Sequence, residues 1–578
     1  MNTKYMISMA ALALVCTDAA AQMDNVVEVE NSYVPVVKDA NKINVVPETS
    51  DTPVKHYNVE YATNSLPVHA YMFQPVWAAQ SDAAVKGAKK GFVSLAGGNG
   101  GNVSARGAYG MEFTSDDLLN VDISLDGHNG NVDGDDDWGT EWKSRFYSTR
   151  ASVGYEHKLT SVSSVVANVE FESQVFNYRP EAFTGGLVGS AFACDKQHNT
   201  LGGVSVGVTP YAFDKFSVGG ELGYSFFSQK YATSLDDECK EGIFSGRLNV
   251  GYNIDTDRKI GVEVMWRSAM YDMKYNDLSF AGSNDFKSNT SFHLSPAYDM
   301  RCNDLDLHIG VQLCGTSGVR SKFRVAPDIR LRHRISKQVD VYAEATGGEV
   351  YNDFRHFSQL TPYWGFLNGA AVDADMAWQL PNQFDLLCAT AGLRVELAKG
   401  LLADIHAGYD ISKDRAELLG GYSYVSMDMG GVSPLFAADG NHLRLNIDLR
   451  YDYKDILSVN MKNCLNNWES VDSPFSDEKL TVCWRPVVDL DWMASLRVIP
   501  ELQIGLGYKL QTFKKPDTET DGKKRPTTSN LCADLSYTFN SGLSLFVRGD
   551  NLLNESYENF WGYRALGTNV LAGFAWTF

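Results

Sequence analysis

From residue 91 onward the chain alternates between apolar and polar positions. Over 442–453, Leu443, Leu445, Ile447, Leu449, Tyr451 and Tyr453 alternate with Arg444, Asn446, Asp448, Arg450 and Asp452. A period of two with apolar residues on one side and charges on the other predicts a strand with one face in an apolar medium and one in water. Residues 260–272 repeat the pattern, with Val262, Val264 and Trp266 opposite Glu263 and Arg267, and 339–344 and 543–548 do the same. The last eleven residues set Val570, Ala572, Phe574, Trp576 and Phe578 against Asn569, Leu571, Gly573, Ala575 and Thr577. A tilted strand of that length just crosses a bilayer. A soluble β-sandwich alternates as well. Here, however, many alternating stretches run well past the usual ~5–6 residues, and aromatic residues gather near their ends, as an interfacial girdle requires.

The connections alternate in length. Short turns are expected at 114–117, 157–161, 210–215, 255–259, 300–304, 336–338, 398–400, 452–455, 499–501 and 540–542. Between them fall connections near 97–102, 126–141, 179–198, 232–241, 273–287, 317–322, 348–382, 412–440, 465–478, 514–528 and 551–567. Ten turns and eleven loops predict an all-β, transmembrane antiparallel β-barrel of about 22 strands, with both termini on the turn side. Short periplasmic turns and longer external loops are the arrangement of outer-membrane barrels. Pro327 lies inside one strand, where it cannot donate to a ladder, so a bulge is expected there. The glycine-rich run over 97–102 is followed by no helix, so it reads as a tight hairpin rather than a phosphate cradle.

Residues 1–22 read as a secretory signal: Lys4, an apolar run over 6–15, then Ala19, Ala20 and Ala21. Cys16 follows Val15 rather than a small residue, which argues against a lipoprotein signal. Residues 23–90 show no helical period and no repeat; they form a short extended segment, either a periplasmic arm or an occupant of the lumen. The expected division is 1–22 signal, 23–90 extended segment and 91–578 barrel.

A net charge of −20 and a pI near 5.0 argue against a nucleic-acid partner. Beyond the N-terminus no apolar run is long enough for a transmembrane helix. No nucleophile elbow, zinc-binding H-E-x-x-H or phosphate-binding glycine loop occurs in context, and the histidines form no motif, so neither an enzyme nor a cofactor is expected.

Residues 550–578 carry Asn551, Leu552, Asn554, Tyr557, Gly567 and the terminal Phe578. In that order they resemble the end of TonB-dependent outer-membrane receptors, and the style of the chain resembles envelope proteins of Bacteroidetes. The resemblance implies solute uptake or passage across the outer membrane. It departs at the other end, because 23–90 are too short for the plug that such receptors carry and show no plug-like pattern. TonB coupling is therefore not implied. The alternatives are a plugless structural, envelope-assembly or ligand-binding platform and, further off, an outer-membrane enzyme. Expected partners are outer-membrane lipid and a surface lipoprotein or a separate plug or periplasmic protein.

Four sets of residues could carry chemistry. Asp133, Asp135, Asp136 and Asp137, with Asp122, Asp126 and His128 nearby, form either a Ca²⁺ site lacking the EF-hand glutamate or a solvated acidic loop. Arg324, Arg330, Arg332 and Arg334 share one strand face; with Asp448 and Arg450 (and Glu263, Arg267, Asp340, Glu344, Arg444 and Arg548) they line either a salt-bridged interior or a solute-selecting pathway. Cys194 and Cys239 fall in neighbouring external loops and are either a disulfide or two thiols. Trp77, Trp138, Trp142, Tyr351, Phe354, Tyr363, Trp364 and Phe366, beside Arg355 and His356, either pack the loops or meet a ligand.

Overall fold

The computed structural model describes residues 90–132, 142–177, 196–230, 238–274, 286–366, 379–418, 433–472, 477, 479–515, 525–560 and 563–578. The signal and nearly all of the extended segment, the Asp133–Asp137 cluster, Cys194, Trp77 and Trp138 lie outside these residues.

Twenty-three segments hydrogen-bond into one sheet. One of them, Trp364–Phe366, pairs in parallel with residues 433–435 and stands outside the ring. The other 22 are antiparallel and close on themselves. They are β1 (Gly91–Gly98), β2 (Val103–Glu112), β3 (Asp117–Val132), β4 (Trp142–Lys158), β5 (Ser164–Asn177), β6 (Lys196–Phe213), β7 (Phe216–Lys230), β8 (Glu238–Asn253), β9 (Arg258–Lys274), β10 (Asn289–Cys302), β11 (Leu305–Ser317), β12 (Lys322–Ser336), β13 (Val339–Val350), β14 (Gln383–Ala398), β15 (Leu401–Leu418), β16 (Ser433–Tyr453), β17 (Leu457–Trp468), β18 (Pro486–Ile499), β19 (Leu502–Phe513), β20 (Thr528–Thr538), β21 (Leu543–Asp550) and β22 (Asn569–Thr577). A ring of this size encloses a lumen wider than its own side chains can fill. Among the described residues no helix is long and apolar enough to cross a membrane; the crossing is made by strands.

The seam joins the first and last strands of the ring. β1 pairs with β22 from Phe92 opposite Thr577 to Gly98 opposite Leu571. The carbonyl of Phe578 accepts the amides of Lys90 (2.8 Å) and Gly91 (2.9 Å), and its own amide donates to Gly91 O (3.0 Å). The terminal aromatic is thus part of the wall.

The tight turns rest on residues that tolerate left-handed backbone. Asp214 (φ 54°), Asn303 (φ 48°) and Lys454 (φ 50°) turn the chain on the short side, and Gly400 (φ 80°) does so where a Cβ would meet Asp452 O at 2.3 Å. On the other side Gly100 and Gly101 (φ 58° and 62°) make the β1–β2 hairpin as its glycine run predicts.

Apolar residues face outward along every strand. Phe113, Phe213, Phe216, Tyr453, Phe539, Trp576 and Phe578 form an exposed aromatic rim at the turn side. Leu222, in the middle of β7, is 71% exposed on the lipid face. Leu222→Arg is expected to lower barrel stability by about 2–4 kcal/mol, the midplane cost of a cation; unfolding in lipid vesicles measures it, and a change well under 1 kcal/mol would place Leu222 away from the midplane.

The bulge expected at Pro327 does not form. The β11–β12 register runs through it unbroken, with Val311 opposite Pro327. Instead the ladder between β12 and β13 ends at Asp328. Pro327 sits where strand pairing stops, so its missing N–H leaves no gap in the second ladder.

Candidate functional site

The inner face of the barrel has two unlike walls. On β11–β16 the lumen is crowded with paired charges. His308 lies 2.6 Å from Asp299 and 3.3 Å from Asp328, which also meets Arg330 at 3.1 Å. Arg332 (2.6 Å) and Arg334 (3.5 Å) share Asp340. Tyr342 donates to Asp404 (2.6 Å), which Arg394 also holds (2.8 Å), and Arg444 pairs with Asp410. Asp448 stands between Asp404 and Lys462 on its neighbouring strands, and Arg450 pairs with Asp452 at 2.7 Å. These positions alternate with Phe323, Val325, Ile329, Leu331 and Leu443, which are exposed on the outside. Arg330, Arg332 and Arg334 keep roughly half of their side-chain surface open, so their pairs are individually weak, about 0–1 kcal/mol.

Arg324 reaches further. Arg320 and Arg324 both donate to Asp414, each at 2.6 Å. Asp414 is aimed at them by a register shift in β15 between Ser412 and Arg415 and by its own left-handed backbone, φ 55°. A bulge that re-aims a side chain is the usual role of such an irregularity.

On β2–β8 small inward residues, Gly110, Ser152, Gly203, Ser205, Gly223 and Ser225, line a cavity of about 1300 Å³ together with Asp122, Glu170 and Glu221. Lys90, Gly91 and Thr577 border it, so it faces the turn side of the barrel. Nearer the loops Asp126 accepts Ser104 (2.7 Å) and meets Arg106 (3.6 Å), and His128 contacts Ser144 (3.3 Å). Among the described residues no group of three His, Cys, Asp or Glu side chains could hold a metal.

At the loop side the lumen is crossed by an apolar cap that alternation does not reveal. Residues 351–366, expected as a plain loop, carry a short helix, α1 (Phe354–Leu360), and fold inward. Phe354, Phe357, Leu360, Tyr363 and Trp364 are buried in one cluster. The cluster takes in Phe176, Leu201, Phe227 and Met273 from β5, β6, β7 and β9, and Leu418, Leu435 and Trp468 from β15, β16 and β17. It therefore bridges opposite walls. Trp364 lies 5.3 Å from Phe354 and 6.1 Å from Phe227, and Tyr363 stacks on Tyr563 at 3.4 Å. Burying each of these side chains contributes about 1.5–3 kcal/mol, so the cap is a stable layer. Tyr351, Phe354, Tyr363 and Trp364 are thus packed against protein; the side chains of Trp142 and Phe366 lie outside the description.

Buried charges pin the cap to the wall. Glu417 is fully buried and accepts Arg415 Nε (2.5 Å) and Trp484 Nε1 (2.8 Å), with Arg485 Nη2 3.4 Å away. The Arg415 and Arg485 guanidinium groups lie over the Trp468 ring at 5.3 and 4.8 Å, in the cation–π range. Arg525 donates to the carbonyls of Trp484 (2.7 Å) and Glu558 (2.8 Å), tying three loops together. Burial pulls the Arg525 guanidinium down to about 10, leaving it charged at neutral pH. The helix had one signal in the sequence: Asp353 before Phe354, Phe357 and Leu360, an N-cap ahead of apolar residues spaced by three. Cys239 is buried on β8 at the cap.

No family model matches the chain, and no curated protein matches it. Solved structures do. The barrel aligns with the ferric-catecholate import receptor Fiu from K12 E. coli over 85% of this chain and 82% of that one, with a TM-score of 0.60 and 11% identity. The ferric enterobactin receptor PfeA from Pseudomonas aeruginosa, in complex with enterobactin, aligns over 85% and 82%, with a TM-score of 0.64 and 12% identity. The FrpB iron transporter from Neisseria meningitidis aligns over 86% and 82%, with a TM-score of 0.64 and 9% identity. At such identities the likeness is one of fold: a receptor-type 22-strand barrel.

Proposed function

We propose that this protein is an outer-membrane barrel serving solute uptake or passage, with its turns and both termini in the periplasm. One observation carries the reading: a closed 22-strand ring with an apolar exterior encloses a charged lumen, in a fold otherwise seen here in import receptors. Residues 23–90 do not supply a receptor-sized plug in this reading, and a surface lipoprotein or a separate plug or periplasmic protein supplies what the chain lacks. Liposome swelling with purified full-length protein tests it: solute-dependent swelling supports passage, and vesicles indistinguishable from protein-free ones reject it.

The paired arginines of β12 select among charged solutes in this reading. Arg330→Glu with Arg332→Glu is expected to shift a planar-bilayer reversal potential towards cations; an unchanged reversal potential leaves Arg324, Arg330, Arg332, Arg334, Asp448 and Arg450 as a salt-bridged lining only. A Cys194–Cys239 disulfide is proposed, and peptide mapping after alkylation of the denatured protein without reduction decides it: alkyl groups on both Cys194 and Cys239 exclude the bond. Ca²⁺ at Asp133, Asp135, Asp136 and Asp137 is checked by calorimetric titration, in which absence of heat ends the idea.

A second reading, a plugless structural or ligand-binding platform, is favoured by the cap. The buried cluster joins residues of opposite walls at the loop side, which suits a platform. Co-purification of a stoichiometric envelope partner, with no swelling, would support it.

A further inference from the structure

We propose that residues 351–366 are a built-in gate across the loop-side mouth, latched by Asp353, and that the lumen conducts when this latch releases. The inference rests on the reading of the barrel as a route for solutes. The segment has pinned feet and a movable centre. At its feet Asn352 Nδ2 donates to Pro381 O (2.6 Å), and Asn382 Nδ2 donates to Glu349 Oε1 (2.9 Å). These amides tie the start of the segment to β13 and to residues 381–382, and Trp364–Phe366 at its other end pairs with residues 433–435, so 353–363 lie between two fixed points.

The centre is held by charge rather than by strand pairing alone. Asp353 Oδ2 accepts Arg267 Nη2 from β9 at 2.6 Å, while Asp353 Oδ1 caps α1 by accepting the His356 amide at 2.7 Å. One carboxylate therefore ties the helix to the wall and keeps it folded. Glu241 on β8 accepts the Phe354 amide at 3.2 Å, and the Arg267 guanidinium covers the Tyr351 ring at 4.0 Å. Arg355 reaches Glu170 on β5 at 2.7 Å. Glu170 also lines the turn-side cavity, so the lid is in contact with the space that an incoming solute would occupy.

A helix of two turns is marginal by itself. Without its cap and the Arg267 contact α1 keeps the apolar cluster and the Glu241 and Arg355 contacts but loses its strongest tie to the wall. Loss of the Asp353 carboxylate leaves Arg267 buried without its partner, a state that favours rearrangement of the lid.

Single-channel recording of the full-length protein in planar bilayers tests the gate. The native protein is expected to open rarely. Asp353→Ala is expected to raise open probability by about tenfold or more. Asp353→Asn, which can still accept the His356 amide but cannot form the ion pair with Arg267, is expected to raise it by less than Asp353→Ala does. Replacing 353–366 with a Gly/Ser linker of equal length is expected to raise open probability at least as much as Asp353→Ala does. Heat-modifiable gel migration verifies that each variant is a folded barrel. A folded linker variant that conducts no more than the native protein, or an Asp353→Ala channel with native gating, overturns the gate. Neither result touches the passage reading, which native liposome swelling decides by itself.

Discussion

Deleting residues 569–578 will abolish the folded barrel, leaving a chain that migrates identically whether boiled or unboiled. β22 is the piece that closes the ring, hydrogen-bonded to β1 on one side and to β21 on the other. Without it two edges of unpaired amides and carbonyls would stand in hydrocarbon, where each unsatisfied group costs several kcal/mol. β1 and β21 are only 8 residues long each and cannot re-pair directly without shrinking the ring. A smaller version of the same experiment is Gly573→Leu. A Cβ there would come within 2.3 Å of Leu95 O and 2.5 Å of the Ala96 side chain, across the seam. Recovery of heat-modifiable mobility in the deletion would show that a ring of fewer strands can form, contrary to this account.

Glu417→Ala is expected to destabilise the cap by about 3–5 kcal/mol, the effect of removing one partner from a buried charge cluster. Arg415 and Arg485 would be left beside each other and the Trp468 ring with no carboxylate between them. The readout should be local: faster amide hydrogen exchange over 479–485 and around Trp364, with exchange in the lipid-facing strands unchanged. Replacing Glu417, Arg415 and Arg485 together with methionine should recover most of the loss, because apolar replacement of a whole buried cluster is often neutral. Native exchange rates in the single variant would mean that water already solvates the two arginines.

The ring and the cap were unequally legible in the sequence, for a physical reason. Strand alternation is local, since each residue reports whether it faces lipid or lumen, and the turns on one side are short enough to mark themselves. Ten of them, counted back from Phe578, fixed the strand number. The cap follows a different rule. Phe176, Phe227, Trp364 and Trp468 meet only after the ring has closed, and their sequence context is that of ordinary strand ends and loops. Asp414 is similar: its ion pairs with Arg320 and Arg324 span some ninety residues and depend on a register shift that no local pattern announces. Pro327 shows the opposite error. A bulge on its own strand would have accommodated it, but the β12–β13 ladder ends beside it and the register shift lies between Thr346 and Gly348, in the ladder of β13 with β14.

The contrast between the two walls has a hydraulic consequence. Glycine and serine recede on β2–β8 while paired charges project from β11–β16, so free space within the ring is displaced from its centre. In the proposed reading, a solute at the turn side would meet a recess close to β3, β5 and β7. The ring's diameter therefore overstates the free space on that side, and three carboxylates, Asp122, Glu170 and Glu221, border what remains.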